Sequence, residues 1–134
     1  MSDKFLLIAR ILLAAMFLAS GYAALADPAA TADYFAGLGL PLPALAAWGT
    51  GIFELAAGLA ILVGFMTRLA AAVLAVFCLV ASFLGHYGQG GGDAMLTFMH
   101  GQMLLKDLAV AGGLMLLSLQ GAGGHSVDRW RGED

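Results

Sequence analysis

The sequence predicts an all-α membrane protein, an antiparallel bundle of four transmembrane helices with both termini in the cytoplasm. Hydrophobic residues make up 61% of the 134 residues and charged residues 11%, whereas soluble domains are about 45–50% apolar and about 25% charged. Four apolar segments are each long enough to cross a bilayer, which takes about 20 helical residues. We predict a single domain, 1–134, with helices at 5–25, 44–65, 69–86 and 96–119 and a polar tail at 120–134.

The first helix, 5–25, lies between Asp3 and Lys4 on one side and Asp27-Pro28 on the other. Charged residues and an Asp-Pro step are typical of the end of a span. A secretory signal is the competing interpretation, with Ala24-Leu25-Ala26 as its cleavage site. Because cleavage there would leave three spans and break the charge pattern of the connections, we favour a membrane helix.

The connection 27–43 is rich in Asp, Pro, Gly and aromatic residues and ends in a Leu-Pro-Leu-Pro step. This composition predicts a loop with a short helix at the membrane interface. The second helix, 44–65, has Trp48 near its start, where an amphipathic ring favours the headgroup level. Residues 66–68 predict a tight turn into the third helix.

The third helix, 69–86, is followed by a glycine-rich run from Gly88 to Asp93. Each glycine costs a helix about 1 kcal/mol, so this run predicts a flexible loop. The fourth helix, 96–119, leads into the tail 120–134, which is polar and rich in glycine. We expect the tail to lie along the membrane surface.

The basic residues predict the orientation of the bundle. Lys4, Arg68, Arg129 and Arg131 fall at the N-terminus, in the second connection and at the C-terminus, whereas the first and third connections contain no Lys or Arg. Basic residues close to the ends of spans favour the cytoplasmic side. Both termini are therefore expected in the cytoplasm.

Composition also argues against several classes of function. The net charge is −3 and the six Lys and Arg residues are scattered, so the sequence lacks the basic patch that nucleic-acid binding requires. The single cysteine, Cys78, cannot form a disulfide within the chain. The sequence shows no flavin, haem or iron–sulfur motif, so we predict no cofactor in the chain itself, and redox electrons would come from a partner.

Four ionisable residues, Arg10, Glu54, Lys106 and Asp107, lie within the apolar segments, and their charges sum to zero. A charge at the bilayer centre costs about 2.5–3.5 kcal/mol on insertion scales. Glu54 and Lys106 each lie about ten residues in from the outer ends of their helices, so we expect them to pair at mid-membrane. Arg10, about 7 Å in from the cytoplasmic side, is expected to reach up toward Asp107 or Glu54. These residues predict one neutral, buried network.

A stripe of small residues predicts the buried face of the second helix. Ala47, Gly51, Glu54 and Gly58 follow three- and four-residue spacing, which places them on one side of a helix and lets a second helix approach closely. Glu54 is therefore expected to face protein. Two roles for the charges stay open: a structural network that fixes helix register, or a proton or redox-substrate site.

Polar residues near the outer ends of the helices predict a vestibule that leads down to the charges. The predicted vestibule consists of Ser20, Tyr22, Ser82, His86, His100 and Gln102. The alternative is that the two histidines simply lie at the water interface, where a histidine needs no partner.

No metal site is predicted. His86 and His100, with an acid such as Asp93 or Asp107, offer suitable donors, but they lack the short spacing of a metal motif. The sequence also has three methionines at helical spacing, Met95, Met99 and Met103. Such a stripe is typical of packing rather than of a soft-metal site.

Five short motifs occur in a fixed order: Arg10 with Ser20-Gly21; Glu54-Leu-Ala-Ala-Gly58; Gly64-Phe-Met-Thr67-Arg68; Lys106 with Gly112-Gly113; and Gly121-Ala-Gly123-Gly-His-Ser126-Val-Asp128. Their order and spacing resemble the DoxX family of small four-helix membrane proteins (DoxX/DoxD-like) over nearly the whole chain. One departure concerns the first helix, where many relatives have a lysine shortly after the glycine and this chain has Tyr22-Ala23-Ala24-Leu25. A role that depends on that lysine does not carry over.

The resemblance implies a protein of the bacterial inner membrane that is associated with sulfur- or quinone-linked oxidoreductases and with redox-stress partners. On that basis we expect an accessory or structural subunit of a membrane redox complex, held in a larger assembly or a homo-oligomer, rather than an enzyme as an isolated chain. The alternative is a quinone-binding oxidoreductase subunit in which Glu54 or Asp107 exchanges protons and a bound quinone or lipid lies near His100. Transport of a small solute is a further alternative, for which inverted repeats would be the signature.

Overall fold

The computed structural model describes residues 2–133, and helices are the only regular elements in that range. Four of the helices are long and apolar enough to cross a membrane, so the predicted all-α bundle with four spans is confirmed. The observed elements are α1 Asp3–Ala26, α2 Pro28–Gly37, α3 Pro43–Val63, α4 Thr67–His86, α5 Ala94–Gln120 and α6 Val127–Trp130.

Helices α1 and α3 pack closely and antiparallel through glycines. A Cβ built on Gly21 would lie 2.9 Å from the Gly51 carbonyl oxygen, and one built on Gly58 would lie 3.3 Å from the Leu18 side chain. The predicted stripe Ala47, Gly51, Glu54 and Gly58 is the buried face of α3. The absence of side chains at these glycines lets the two backbones approach, as in other membrane helix pairs.

Helix α5 packs antiparallel along α4, and the core of the bundle lies where this pair meets α1 and α3. The short connections make helices that follow one another in sequence antiparallel neighbours. The largest fully buried apolar side chains of the core are Phe17, Ile61, Leu74 and Leu114. Together with buried alanines and Cys78, they form the hydrophobic core.

Backbone chemistry sets the helix ends, which differ from the predicted ends by up to two residues. Helix α3 stops at Val63 because Gly64 has a positive φ of 73°, the left-handed conformation that commonly ends a helix. Helix α5 begins at Ala94 because the Asp93 side chain accepts a hydrogen bond from the Leu96 N–H at 2.9 Å.

The start of α1 and the C-terminal tail lie at the same end of the bundle, which we call the proximal end. The Asp3 carboxylate accepts a hydrogen bond from the Gly124 N–H at 2.9 Å, and the Asp128 N–H donates to the Gly64 carbonyl at 2.8 Å. The tail therefore packs against the end of the bundle, and its position along the membrane surface stays a prediction. Trp130, at 89% exposed, is a large apolar side chain of the tail that projects outward.

Helix α2, which the composition of the first connection predicted, lies at the opposite, distal end. The Asp27 side chain caps it by accepting from the Ala30 N–H at 3.0 Å. The Tyr34 hydroxyl donates to the Gly85 carbonyl at 3.3 Å. Helix α2 therefore reaches across the bundle from the end of α1 to the end of α4.

Candidate functional site

A cavity of about 660 Å³ lies in the distal half of the bundle, between α1, α2, α3 and α4, with one side chain from α5. Its walls are mainly apolar and include Met16, Phe17, Phe35, Leu38, Phe77 and Leu84. Its polar lining consists of Ser20, Thr31, Tyr34, Thr50, Glu54, Cys78, His86 and Asp107. An apolar pocket of this size with a few converging polar groups is the usual form of a small-molecule site.

Glu54 lies on the wall of the cavity and is 9% exposed. The Ser20 hydroxyl is within hydrogen-bond distance of both of its carboxyl oxygens, 3.1 Å from Oε1 and 2.9 Å from Oε2. The contact is direct because Gly51 and Gly58 allow α1 to lie close against the Glu54 face of α3. A carboxyl group that is buried in this way retains lone pairs that can meet a ligand.

His86 also lines the cavity, and its side-chain contacts link α4 to α5. Its Nε2 lies 3.6 Å from Asp107 Oδ2, and its Nδ1 lies 2.9 Å from Nδ1 of His100. Asp107 lines the cavity with His86, whereas His100 does not. The three side chains thus run in a line from the cavity toward the distal end of α5.

Arg10 is fully buried but lies outside the cavity, near the proximal end. Its guanidinium donates to the Ile61 and Leu62 carbonyls of the last turn of α3 at 2.9 and 2.7 Å. It also donates to the Ala122 and His125 carbonyls of the tail at 2.9 and 2.8 Å. The final carbonyls of a helix lack partners within it and carry partial negative charge, so they are suitable acceptors for the buried cation.

The predicted single network of Arg10, Glu54, Lys106 and Asp107 is therefore wrong. Lys106 is exposed on α5, whereas Glu54 is buried and accepts from Ser20. Successive residues of a helix turn by about 100°, so Lys106 and its neighbour Asp107 cannot face the same side. The two acids share the cavity, and the two cations lie elsewhere.

The residues of the predicted vestibule are likewise not all in one place in the structure. Ser20 and His86 line the cavity, and His100 contacts His86. Tyr22 and Gln102 are exposed, because each lies on the outer face of its helix. Ser82 is buried away from the cavity, and its hydroxyl has no hydrogen-bond partner among residues 2–133.

Several lining residues were missed from the sequence. Thr31 and Tyr34 come from α2, whose position across the distal end is a tertiary feature. Thr50 lies one turn before Glu54 on α3, so its spacing from Glu54 was the one signal that could have identified it. Within residues 2–133, no group of three His, Cys, Asp or Glu side chains is arranged to hold a metal ion.

Comparison with known proteins identifies one matching family and two similar membrane proteins. The DoxX family model matches residues 5–87. The inner membrane protein YqjF of Escherichia coli K12 is 36% identical over 132 residues, covering 96% of this chain and 93% of that protein. The inner membrane protein YphA of the same organism is 33% identical over 129 residues, covering 92% of this chain and 88% of that protein. No solved structure matches.

Proposed function

The chain belongs to the DoxX family of membrane proteins, and from that premise we propose that its cavity binds the head group of a lipid-soluble quinone within a membrane redox complex. The observation that carries the proposal is the convergence of Glu54, Ser20, His86 and Asp107 on one cavity whose other walls are largely apolar. A quinone has matching chemistry, because it joins a polar ring to a hydrophobic chain.

The size of the cavity suits this class of ligand. About 660 Å³ falls within the range of roughly 300–1,000 Å³ that is usual for small-molecule sites. Phe17 and Phe77 supply aromatic surface, and aromatic rings favour offset or edge-to-face contact with a second ring. The isoprenoid chain of a quinone would remain among lipids and apolar side chains.

The polar groups suit a ligand that changes between oxidised and reduced forms. The oxidised ring presents carbonyl oxygens that need donors, and the reduced ring presents hydroxyls that need acceptors. A carboxyl group accepts when ionised and donates when protonated, and an imidazole does both. Glu54 and His86 can therefore serve both forms, and the electrons would come from a partner redox subunit.

We also propose that the proximal end faces the cytoplasm and that the protein resides in the bacterial inner membrane. Lys4, Arg68, Arg129 and Arg131 belong to segments at the proximal end, and the distal connections contain no Lys or Arg. Under this orientation the cavity lies in the outer half of the membrane. Labelling of single cysteines placed at Gly91 and at Gly132, in a Cys78→Ala background, with a membrane-impermeant reagent tests the orientation.

Ligand binding can be tested on the full-length chain in lipid nanodiscs. We expect decylubiquinone to raise the unfolding temperature, because a ligand at about 100 times its Kd stabilises the native state by about 2.7 kcal/mol. Glu54→Gln and Ser20→Ala should reduce that shift. Ser118→Ala, which removes a hydroxyl that bonds only within α5, should leave it intact. The absence of any shift with ubiquinone- and menaquinone-type ligands would refute the proposal.

An accessory role in an assembly is the second candidate, and Lys106 favours it. This cation is exposed on α5 within a span, and a lysine that faces lipid is costly. A neighbouring helix with an acidic group would cover it. The mass of the particle extracted in mild detergent tests this, with Lys106→Met expected to shift it toward a single chain and Lys4→Met as the matched control.

A further inference from the structure

We infer that Asp107, His86 and His100 form a proton relay between the cavity and water at the distal end. This inference rests on the proposed function, since the relay would serve a ligand that takes up or releases protons. The relay specifies the direction in which protons move and the order of the residues that carry them, neither of which ligand binding alone requires.

The positions of the three side chains define the path. His86 and Asp107 line the cavity, and His100 lies beyond them, two turns from the start of α5 and partly exposed. His86 Nδ1 and His100 Nδ1 are 2.9 Å apart, a normal hydrogen-bond distance. His86 Nε2 and Asp107 Oδ2 are 3.6 Å apart, about 0.7 Å longer than a usual N–H···O bond, so a small side-chain movement joins them.

Chemistry assigns the protons along this line. Two Nδ1 atoms at hydrogen-bond distance require one to carry a proton and the other a lone pair. An ionised Asp107 favours a proton on Nε2 of His86, which leaves Nδ1 of neutral His86 as the acceptor. His100 is then the Nδ1–H tautomer, and its Nε2 has a lone pair that can take a proton from water.

Transfer along the line is balanced at every atom. A proton from water binds Nε2 of His100, whose Nδ1–H proton passes to Nδ1 of His86. The Nε2–H proton of His86 passes to Oδ2 of Asp107, which protonates an oxygen of the reduced ligand. Each imidazole gains one N–H and loses another, so both rings end as the opposite tautomer and must return to the starting tautomer by proton exchange before the next proton passes. The electrons that reduce the ligand come from the proposed partner redox subunit.

The groups around the line hold its helices together. Cys78 of α4 donates its thiol hydrogen bond to the Asp107 carbonyl at 3.4 Å, and Tyr34 of α2 donates to the Gly85 carbonyl beside His86. Glu54 of α3 lies across the same cavity with Ser20 of α1. Glu54 can give a second proton to the other side of the ligand, so the reduced ring can receive one proton from each wall.

The alternative is that the two histidines only clamp α4 to α5. Nitrogen-15 NMR of histidine-labelled protein separates the two roles without a ligand, because the sequence contains three histidines and one, His125, lies in the tail. We expect His86 as the Nε2–H tautomer and His100 as the Nδ1–H tautomer, with a coupling across the Nδ1–H···Nδ1 bond. The same tautomer at both residues, or no coupling, would overturn the relay.

A kinetic experiment tests the function of the relay. Full-length protein with bound decylubiquinone is placed in proteoliposomes. A photochemical electron donor reduces the decylubiquinone, and an impermeant pH dye at the distal side reports proton uptake. We expect His100→Gln, which keeps a hydrogen-bonding side chain, to slow uptake by about 100-fold, the lower end of the range for proton-transfer groups. Binding of decylubiquinone should be unchanged, and His125→Ala should match the unaltered chain.

The outcomes separate this inference from the proposed function. If decylubiquinone binds and His100→Gln takes up protons as fast as the unaltered chain, the relay is refuted and the binding site stands. If decylubiquinone does not bind the unaltered chain, the proposed function is refuted, and the NMR result decides whether the hydrogen-bonded line of tautomers exists.

Discussion

The Asp128 carboxylate accepts a hydrogen bond from the backbone N–H of Thr67 at 2.8 Å, so a residue of the tail caps the first turn of α4. The same carboxylate accepts from the Met66 N–H at 2.7 Å. Neither residue at the start of α4 supplies a side-chain cap of its own. An acid at a helix N-terminus also meets the positive end of the helix dipole, so the contact joins tail and bundle through both geometry and charge.

Replacing Asp128 should therefore destabilise the bundle. We expect Asp128→Ala to lower the free energy of unfolding by about 1–2 kcal/mol, the upper part of the range for loss of an N-cap. Unfolding in mixed micelles measures this loss. Asp33→Ala, on the exposed side of α2, is the matched control and should change stability by less than about 0.5 kcal/mol. Equal effects of the two substitutions would argue against the cap.

The same contact predicts a dependence on pH. Burial alone raises the pKa of Asp128, but the N–H groups of Thr67 and Met66, the Thr67 side chain and the charge of Arg131 outweigh burial and leave the pKa below its ordinary value. A carboxyl with a lowered folded pKa stabilises the native state above its unfolded pKa of about 3.9. That stabilisation disappears as the pH falls through the folded pKa.

We therefore expect the stability difference between the unaltered chain and Asp128→Asn to be constant near neutral pH and to shrink below about pH 4. Thermal unfolding of both proteins over that range measures the difference, which removes the contribution of the other carboxylates. A difference that grows as the pH falls would contradict the assignment.

Arg10 should be among the positions least tolerant of substitution. Arg10→Lys keeps the charge but cannot reach four carbonyls with one ammonium group, so buried acceptors on α3 and the tail are left unpaired. An ammonium group has three N–H donors, so at least one carbonyl loses its partner, and because each unpaired buried acceptor costs about 1–3 kcal/mol, we expect a loss of about 1–3 kcal/mol. Arg131→Lys alters an exposed ion pair with Glu133 and should cost less than about 1 kcal/mol.

The separate environments of Glu54 and Lys106 predict that the two residues are energetically independent. In a double-mutant cycle of Glu54→Gln and Lys106→Met, we expect a coupling energy within about 0.5 kcal/mol of zero. The cycle of Glu54→Gln with Ser20→Ala should give a coupling above that value, since these side chains share a hydrogen bond. Strong Glu54–Lys106 coupling would restore the pairing that the sequence suggested.

The sequence predicts some of these features because they depend on local pattern. The number and position of the spans follow from length and hydropathy, and the buried face of α3 follows from the spacing of Gly51, Glu54 and Gly58. In each case the information lies within about two turns of one helix. That part of the architecture could be predicted without knowledge of the neighbouring helices.

The partners of the buried charges could not be predicted in the same way. Arg10 bonds to backbone carbonyls and Asp128 to backbone N–H groups, and every residue type carries those groups. Opposite charge therefore predicted a contact between Arg10 and Asp107, although each side chain has nearer partners in the structure. Gly64 offered a partial signal, since a Cβ there would clash with the Cβ of Ser126, but it identifies a close contact only once the tail is placed.

The close approach of α1 and α3 gives a last prediction. A methyl group at Gly21 would lie 2.9 Å from the Gly51 carbonyl oxygen and from the Leu55 side chain, so Gly21→Ala should push the helices apart. We expect a loss of about 1–3 kcal/mol, as for other overpacked sites, with weaker ligand binding because Ser20 moves away from Glu54. Gly49→Ala meets no atom within 4 Å and should stabilise α3 by up to about 1 kcal/mol. If both alanines stabilised the protein alike, the α1–α3 contact would be looser than the structure shows.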